Sequence, residues 1–186
     1  MKGRTINNEA ELLQVMDEML NHVWEVKCNR GWTHRTSVAE LGYSFVWSGK
    51  KKSFGSCNYG RKLIKMSRPI VELNYGNKDH IWWTVIHELS HAIAHWVYGA
   101  KACNHGKYWK SINIQMGDDG ERCYADDVVR VKGKYTLSCP RNCGAKDSQL
   151  MRMSRGREYS CGTCSVKETG RREWNPNFKM VITQNY

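Results

Sequence analysis

Nowhere does this sequence reach the roughly 18 unbroken apolar residues that a membrane-spanning helix requires. A bilayer-embedded protein is therefore not expected. Its first residues, MKGRTINNEAELL, have no apolar run behind the basic ones and do not read as a secretory signal. An intracellular, cytoplasmic location is the expectation, and in a reducing cytosol the eight cysteines should not form disulfides. Internal repeats and low-complexity tracts are absent as well, which excludes a repeat architecture. Carboxylates are few: 18 Asp and Glu face 29 Lys and Arg, for a net charge of +11. From Arg130 to Arg172 eleven Lys and Arg stand against three Asp and Glu. A basic excess concentrated in this way suits a polyanion, nucleic acid above all.

A chain of 186 residues, 40% of them hydrophobic, can bury one ordinary core with a small appended module. Asn8 followed by Glu11 reads as a capping box. Leu12, Met16, Met19, Leu20 and Val23 then recur at helical spacing, which predicts an amphipathic helix over about 8–24. From 43 to 73 the segments YSFVWS, KKSFGSCNY, RKLIKMS and PIVEL are short, β-rich and broken by Gly, Ser or Pro. They predict a small antiparallel sheet, with Pro69 at a strand end or edge. Asp79 and Gly99 bracket a second helix, about 80–98, whose apolar residues, Trp96 and Val97 among them, cover most of its circumference. A third helix is predicted from near His105-Gly106 to Gly117. Residues 127–137 read as a strand and turn, and NFKMVITQNY as a last strand. The class is α+β.

The second helix contains HELSH, an H-E-x-x-H pattern of His87, Glu88 and His91. Residues four apart stack on one helical face, so the two imidazoles can grip one ion. Glu88 lies about 100° round the helix, where a carboxylate can serve as base without being a ligand. In a chain of this composition the pattern arises by chance about 1.5% of the time, so the bare match counts for little. The apolar helix around it counts for more, because buried His and Glu need a partner. A catalytic zinc usually has three protein ligands and an open position. His95 lies about 12 Å along the axis from His87, too far to share an ion with it through bonds of about 2 Å. It reads instead as a histidine behind the ligands or in the core. Position 97, the third-ligand site of one related protease class, is Val97. His105, past the helix end and beside Gly106, is the favoured third ligand, with Asp118 and Glu121 as weaker substitutes.

The stretch HELSHAIAHWVYG followed by HGKYWK resembles the SprT-like zinc metalloproteases, the family that includes eukaryotic Spartan. KKSFGSCNYGRKLIKMSRPIVELN resembles the short sheet before that family's active-site helix, and MGDDGERCY the sequence after its third ligand. The likeness spans roughly residues 40 to 166. It implies a zincin-like core with catalytic zinc on His87, His91 and His105, and Glu88 as the catalytic glutamate. It also implies proteolysis of DNA-associated proteins.

TLSCPRNCGAK and EYSCGTCSVK pair Cys139 with Cys143 and Cys161 with Cys164. Four thiolates at such spacing close a tetrahedron around a structural zinc. The other cysteines, Cys28, Cys57, Cys103 and Cys123, read as buried free thiols. Lys146, Arg152, Arg155, Arg157 and Tyr159 offer cations around an aromatic, suited to nucleic-acid contact without a base-reading motif. The expected organisation is a protease core over 1–130, a four-cysteine zinc ribbon over 131–168 and a tail over 169–186 with a final strand. The expected activity is zinc-dependent cleavage of DNA-bound or DNA-cross-linked proteins. A non-enzymatic DNA-binding or regulatory protein, or a zinc hydrolase acting on something other than protein, is the rival reading.

Overall fold

The computed structural model describes residues 2–121, 127–144, 148–150, 152 and 156–185. The chain divides into two compact units, Met1–Val131 and Lys132–Tyr186. Among the described residues no helix is long and apolar enough to cross a membrane.

The first unit opens with α1, Glu9–Asn21. Its cap is reciprocal: Asn8 Oδ1 accepts from the Glu11 backbone N–H at 2.9 Å, and Glu11 Oε2 accepts from the Asn7 N–H at 2.8 Å. Leu12, Val15, Met16 and Met19 face the core, whereas Val23 lies beyond the helix end and is exposed. A hairpin follows, β1 (Trp24–Lys27) against β2 (Thr33–Thr36), with Trp24 and Val26 turned inward.

The next sheet contains β3 (Ser44–Ser48), β4 (Gly55–Asn58) and β5 (Leu63–Ser67) in the order β3-β5-β4. It is mixed, not antiparallel as its short segments suggested: β3 runs parallel to β5, and β4 pairs antiparallel with β5 at the edge. PIVEL is not a strand. Ser67 caps a short helix, α2 (Arg68–Glu72), its Oγ accepting from the Ile70 N–H at 3.2 Å. Pro69 falls in the first turn, where its missing N–H costs nothing. The β-branched residues that suggested a strand, Ile70 and Val71, are simply core.

Helix α3 spans His80–Tyr98, as the apolar pattern predicts, and Gly99 ends it at φ 62°. Asp79 does not cap the backbone; its carboxylate accepts from the Trp83 indole N–H at 2.8 Å. Residues from His80 to Ala94 are almost continuously buried, but Trp96 is 42% exposed and faces solvent. After a 3-10 turn at Gly99–Ala102 comes α4, Lys107–Gln115. Buried Asn113 on α4 donates to Ser90 Oγ on α3 at 3.2 Å and to Asp118 Oδ2 at 2.9 Å, and accepts from the Gly120 N–H. One amide thus fixes both the α3–α4 contact and the loop beyond.

Residues 127–133 form no strand, contrary to expectation. Segment 127–130 is held as a wall by side chains. Buried Asn74 accepts from the Val129 N–H at 2.9 Å and donates to the Val129 carbonyl at 2.8 Å. Asp127 pairs with Lys78 and lies 3.0 Å from His80 Nε2.

The second unit has a three-stranded antiparallel sheet, β7-β6-β8, of β6 (Tyr135–Ser138), β7 (Ser148–Leu150) and β8 (Val181–Gln184). Helix α5, Gly162–Thr169, begins within the second cysteine pair and ends at Gly170, φ 72°. Phe178, wholly buried, packs with Cys139, Cys161 and Cys164.

Replacing Asn74 by Ala should leave both polar groups of Val129 without their partner. The expected loss is about 1–2 kcal/mol, read by denaturant unfolding, with faster hydrogen exchange at the Val129 amide.

Candidate active site

His87 and His91 are presented on one face of α3, and the turn at Gly99–Ala102 brings the chain back so that His105 meets them. His105 Nε2 lies 2.9 Å from His87 Nε2 and 3.1 Å from His91 Nε2. Two ligands at 2.0–2.1 Å in a tetrahedron are about 3.3 Å apart, so the two separations from His105 Nε2 are close to those of a zinc site, and the ligand atoms of all three residues lie within 4.8 Å of one another. Glu121 reaches instead for Lys110 at 3.0 Å, and Asp118 accepts from Asn113. Neither belongs to the converging group.

The electrostatics suit a cation. Burial, and then the neighbouring His105, push His87 down to about 4; burial, with His87 and His105, pushes His91 down to about 3. Both rings are therefore neutral near pH 7, with lone pairs available. Lone pairs aimed at a common point repel unless a positive ion sits between them, which is the physical reason the set fits a metal.

Wholly buried Trp109, on α4, backs the three rings, with centroids 4.6 Å from His87, 5.2 Å from His91 and 4.7 Å from His105. Tyr59, after β4, reaches His91 from the other side, its Oη 3.3 Å from Nδ1. With a metal on Nε2, Nδ1 would carry the proton and donate to the phenol oxygen, a contact that would favour that tautomer. His95 is not in the converging group; its ring stacks on Tyr59 at 4.4 Å and 22°. Sequence reasoning missed both aromatics. Trp109 lies within HGKYWK, four residues after His105, but its helix begins only at Lys107; Tyr59 had no periodic signal at all.

Glu88 lies on the neighbouring face, buried beneath edge strand β4. Burial pushes its carboxyl up to about 8, with the Cys57 backbone amide and the Lys50 charge pulling part of the way back. At Gly55 a Cβ would fall 2.6 Å from Glu88 Oε1 and 2.7 Å from its Cγ, so only glycine lets strand and carboxylate come this close. Above the histidines opens a cavity of about 530 Å³, bounded by Phe54, Gly55, Cys57 and Tyr59 on one side and Val128 and Arg130 on another. The cysteines expected to be buried are less so: Cys103 is exposed, and Cys57, partly buried, lines this cavity, its thiol pushed up to about 12 by burial and then by Glu88. Cys28 is partly buried, and Cys123 lies outside the described residues.

In the second unit Cys139, Cys143, Cys161 and Cys164 converge. Their Sγ atoms are 3.6 Å apart in the pairs Cys139–Cys164 and Cys143–Cys161, against about 3.8 Å for thiolates bound at 2.3 Å in a tetrahedron. The pairing crosses the two knuckles, as four ligands of one ion do. Arg152 and Arg157 are exposed, and Arg157 lies over the Tyr159 ring at 5.6 Å. Lys146 and Arg155 lie outside the described residues.

The SprT-like family model matches residues 20–127, more than half of the chain and the segment that carries the histidines and Glu88. The chain belongs to the SprT-like family. It is 29% identical over 128 residues to Protein SprT of Pseudomonas putida strain W619, covering 65% of this chain and 74% of that protein. Protein SprT of Pseudomonas entomophila strain L48 is 30% identical with the same coverage. Protein SprT of Pseudomonas fluorescens strain SBW25 is 34% identical over 88 residues, 44% of this chain and 52% of that one. No solved structure matches. Membership makes a metalloprotease-like function the frame for this SprT-like chain, and both side-chain groups are consistent with zinc.

His105→Ala should lower the zinc content of the purified protein from two ions per chain to one, by elemental analysis. Two ions retained would mean that another residue completes the site. Tyr59→Phe should keep the ion but release it to a chelator several-fold faster, as loss of a hydrogen bond to a ligand's far nitrogen does.

Proposed function

We propose that this SprT-like protein is a zinc-dependent endopeptidase with a zincin-like core, which binds DNA and cleaves proteins associated with or cross-linked to it. The observation that carries the reading is Glu88. A purely structural ion has no use for a carboxylate, yet this one is buried beside three converging imidazoles at the floor of an open cavity.

Zinc held by His87, His91 and His105 would supply a Lewis acid that polarises the scissile carbonyl and acidifies water. The residues of the chain do the rest. Glu88 takes the proton of the attacking water and delivers it to the departing amine. Its low-dielectric setting, which favours the protonated form, helps it hold that proton between the two transfers. Tyr59 keeps His91 turned toward the reacting centre. Gly55 lets β4 pass directly over the carboxylate, so that the cavity between β4 and segment 127–130 admits an extended peptide.

The nucleic-acid part of the proposal is supported by the basic excess between Arg130 and Arg172 and by the Arg157–Tyr159 pair. Cations and a half-buried aromatic suit phosphate contact with some stacking, without sequence preference and with strong salt dependence. The four-cysteine group would hold a structural zinc and carry this surface. DNA would thereby bring bound proteins to the cleft.

Glu88→Gln is expected to retain both zinc ions and lose cleavage of DNA-bound protein by at least about a hundredfold. The assay compares wild type and variant with and without DNA and chelator. Substantial proteolysis by the variant would remove Glu88 from its role. Zinc binding with no cleavage of any protein by wild type would favour a non-enzymatic DNA-binding protein, or a hydrolase of another substrate.

A further inference from the structure

The cavity above the histidines is lined by two cations that the reaction itself does not use, Lys52 and Arg130. They come from separate segments. Lys52 lies in the loop between β3 and β4, and Arg130 ends the wall formed by 127–130. Both are exposed, and among the described residues neither is in an ion pair.

Each cation stands beside backbone that a buried side chain or strand end fixes. Ser67, wholly buried at the end of β5, donates through Oγ to the Lys50 carbonyl, and its N–H donates to the Phe54 carbonyl at 2.7 Å. The loop that carries Lys52 is therefore held on both sides of that residue. On the other segment, buried Asn74 holds both polar groups of Val129, the residue before Arg130.

Opposing charge in the cavity is confined to Glu88, the one carboxylate among its lining residues. Burial favours the neutral form of that carboxyl, and the charge of Lys50 also reaches it. Asp119 is felt electrostatically at His87 but does not line the cavity. A chain entering the cavity thus meets positive charge from two segments, with little to offset it.

We infer that Lys52 and Arg130 set the substrate preference of the cleft: it accepts peptide segments with Asp or Glu near the scissile bond and disfavours those with Lys or Arg. The inference deepens the endopeptidase function proposed above and rests on it. Charges a few ångströms apart interact more strongly in a partly enclosed cavity than on an open surface, and repulsion of the wrong sign selects as effectively as attraction of the right one. The preference also suits proteins on DNA. Their basic segments are engaged with phosphate, whereas acidic segments are repelled from it and stay free for the cleft. A nucleic-acid strand is the other polyanion that suits two cations, but these two line the same cavity as His87, His91 and Glu88, where a substrate chain has to lie.

The test uses the full-length, zinc-loaded Glu88→Gln protein, so that peptide is bound without being cut. Three end-labelled unstructured peptides, identical except for two Glu, two Gln or two Lys at the centre, are titrated by anisotropy at low and high salt. The Glu peptide should bind about fivefold tighter than the Gln peptide, and the Lys peptide weaker still. The spread should shrink at high salt. In the same background Lys52→Gln/Arg130→Gln should collapse the order, and Lys52→Glu/Arg130→Glu should reverse it. Both side chains are exposed, so melting temperatures should stay within a few degrees of the parent. An order unchanged in both double variants would overturn the assignment. So would loss of oligo(dT) binding by the glutamine pair with the peptide order intact, which would give the two cations to a strand instead. Wild-type protein is then used to digest unfolded casein, and the cut sites are read by mass spectrometry. Asp and Glu should be enriched around them, and Lys and Arg should replace them with the charge-reversed pair. Cleavage without charge preference would overturn this inference and leave the endopeptidase standing. Peptides bound in the expected order, with no cleavage of casein or of DNA-bound protein, would overturn the endopeptidase reading and with it the substrate role of the two cations.

Discussion

The meeting of three imidazoles, with His105 Nε2 at 2.9 Å and 3.1 Å from the Nε2 atoms of His87 and His91, is the contact on which the first unit depends. These nitrogens either share protons or turn lone pairs to a common cation, in a setting where burial already makes a positive charge on His87 and His91 unfavourable. The arrangement calls for a cation, and much of the first unit can be understood as what holds it ready. Helix α3 supplies two rings by its pitch. Trp109 closes their back, Asn113 pins α4 against α3, and Tyr59 reaches the far nitrogen of His91.

Glu88 answers a different constraint. Its carboxylate is as buried as the histidines of α3, yet it is not one of the converging ligands. The fold admits it because β4 carries no side chain at Gly55 and turns the Cys57 amide toward it. An edge strand lying on a buried carboxylate is a costly arrangement for stability alone, since a solvated polar group has been moved into a low-dielectric site. Its use lies in the cavity that opens beside it, whose opposite wall, segment 127–130, is held by side-chain hydrogen bonds and not by a sheet ladder.

The second unit solves the problem of a small core by convergence of sulfur. Its buried apolar cluster contains Phe178 and three of the four cysteines. A metal there would contribute much of the stability that such a short segment cannot draw from hydrophobic burial. The sheet reaches the same end from another direction, because β8 returns from the C-terminal segment to pair with β6.

By itself the sequence determined what depends on neighbours along the chain. The i, i+4 spacing put His87 and His91 on one face, the apolar run set the bounds of α3, Asn8 and Glu11 began α1, and the short cysteine spacings marked a metal group. The capping signal of α2 was also present at Ser67-Arg68-Pro69, though the β-branched Ile70 and Val71 concealed it. Only the tertiary structure decided the parallel pairing of β3 with β5, the outward turn of Trp96, the contact of Tyr59 with His91 and the clearance at Gly55. The reason is physical. Helical pitch and capping act over a few residues and leave a periodic trace, whereas strand order and the meeting of a ring with a distant imidazole depend on which surfaces the folded chain brings together.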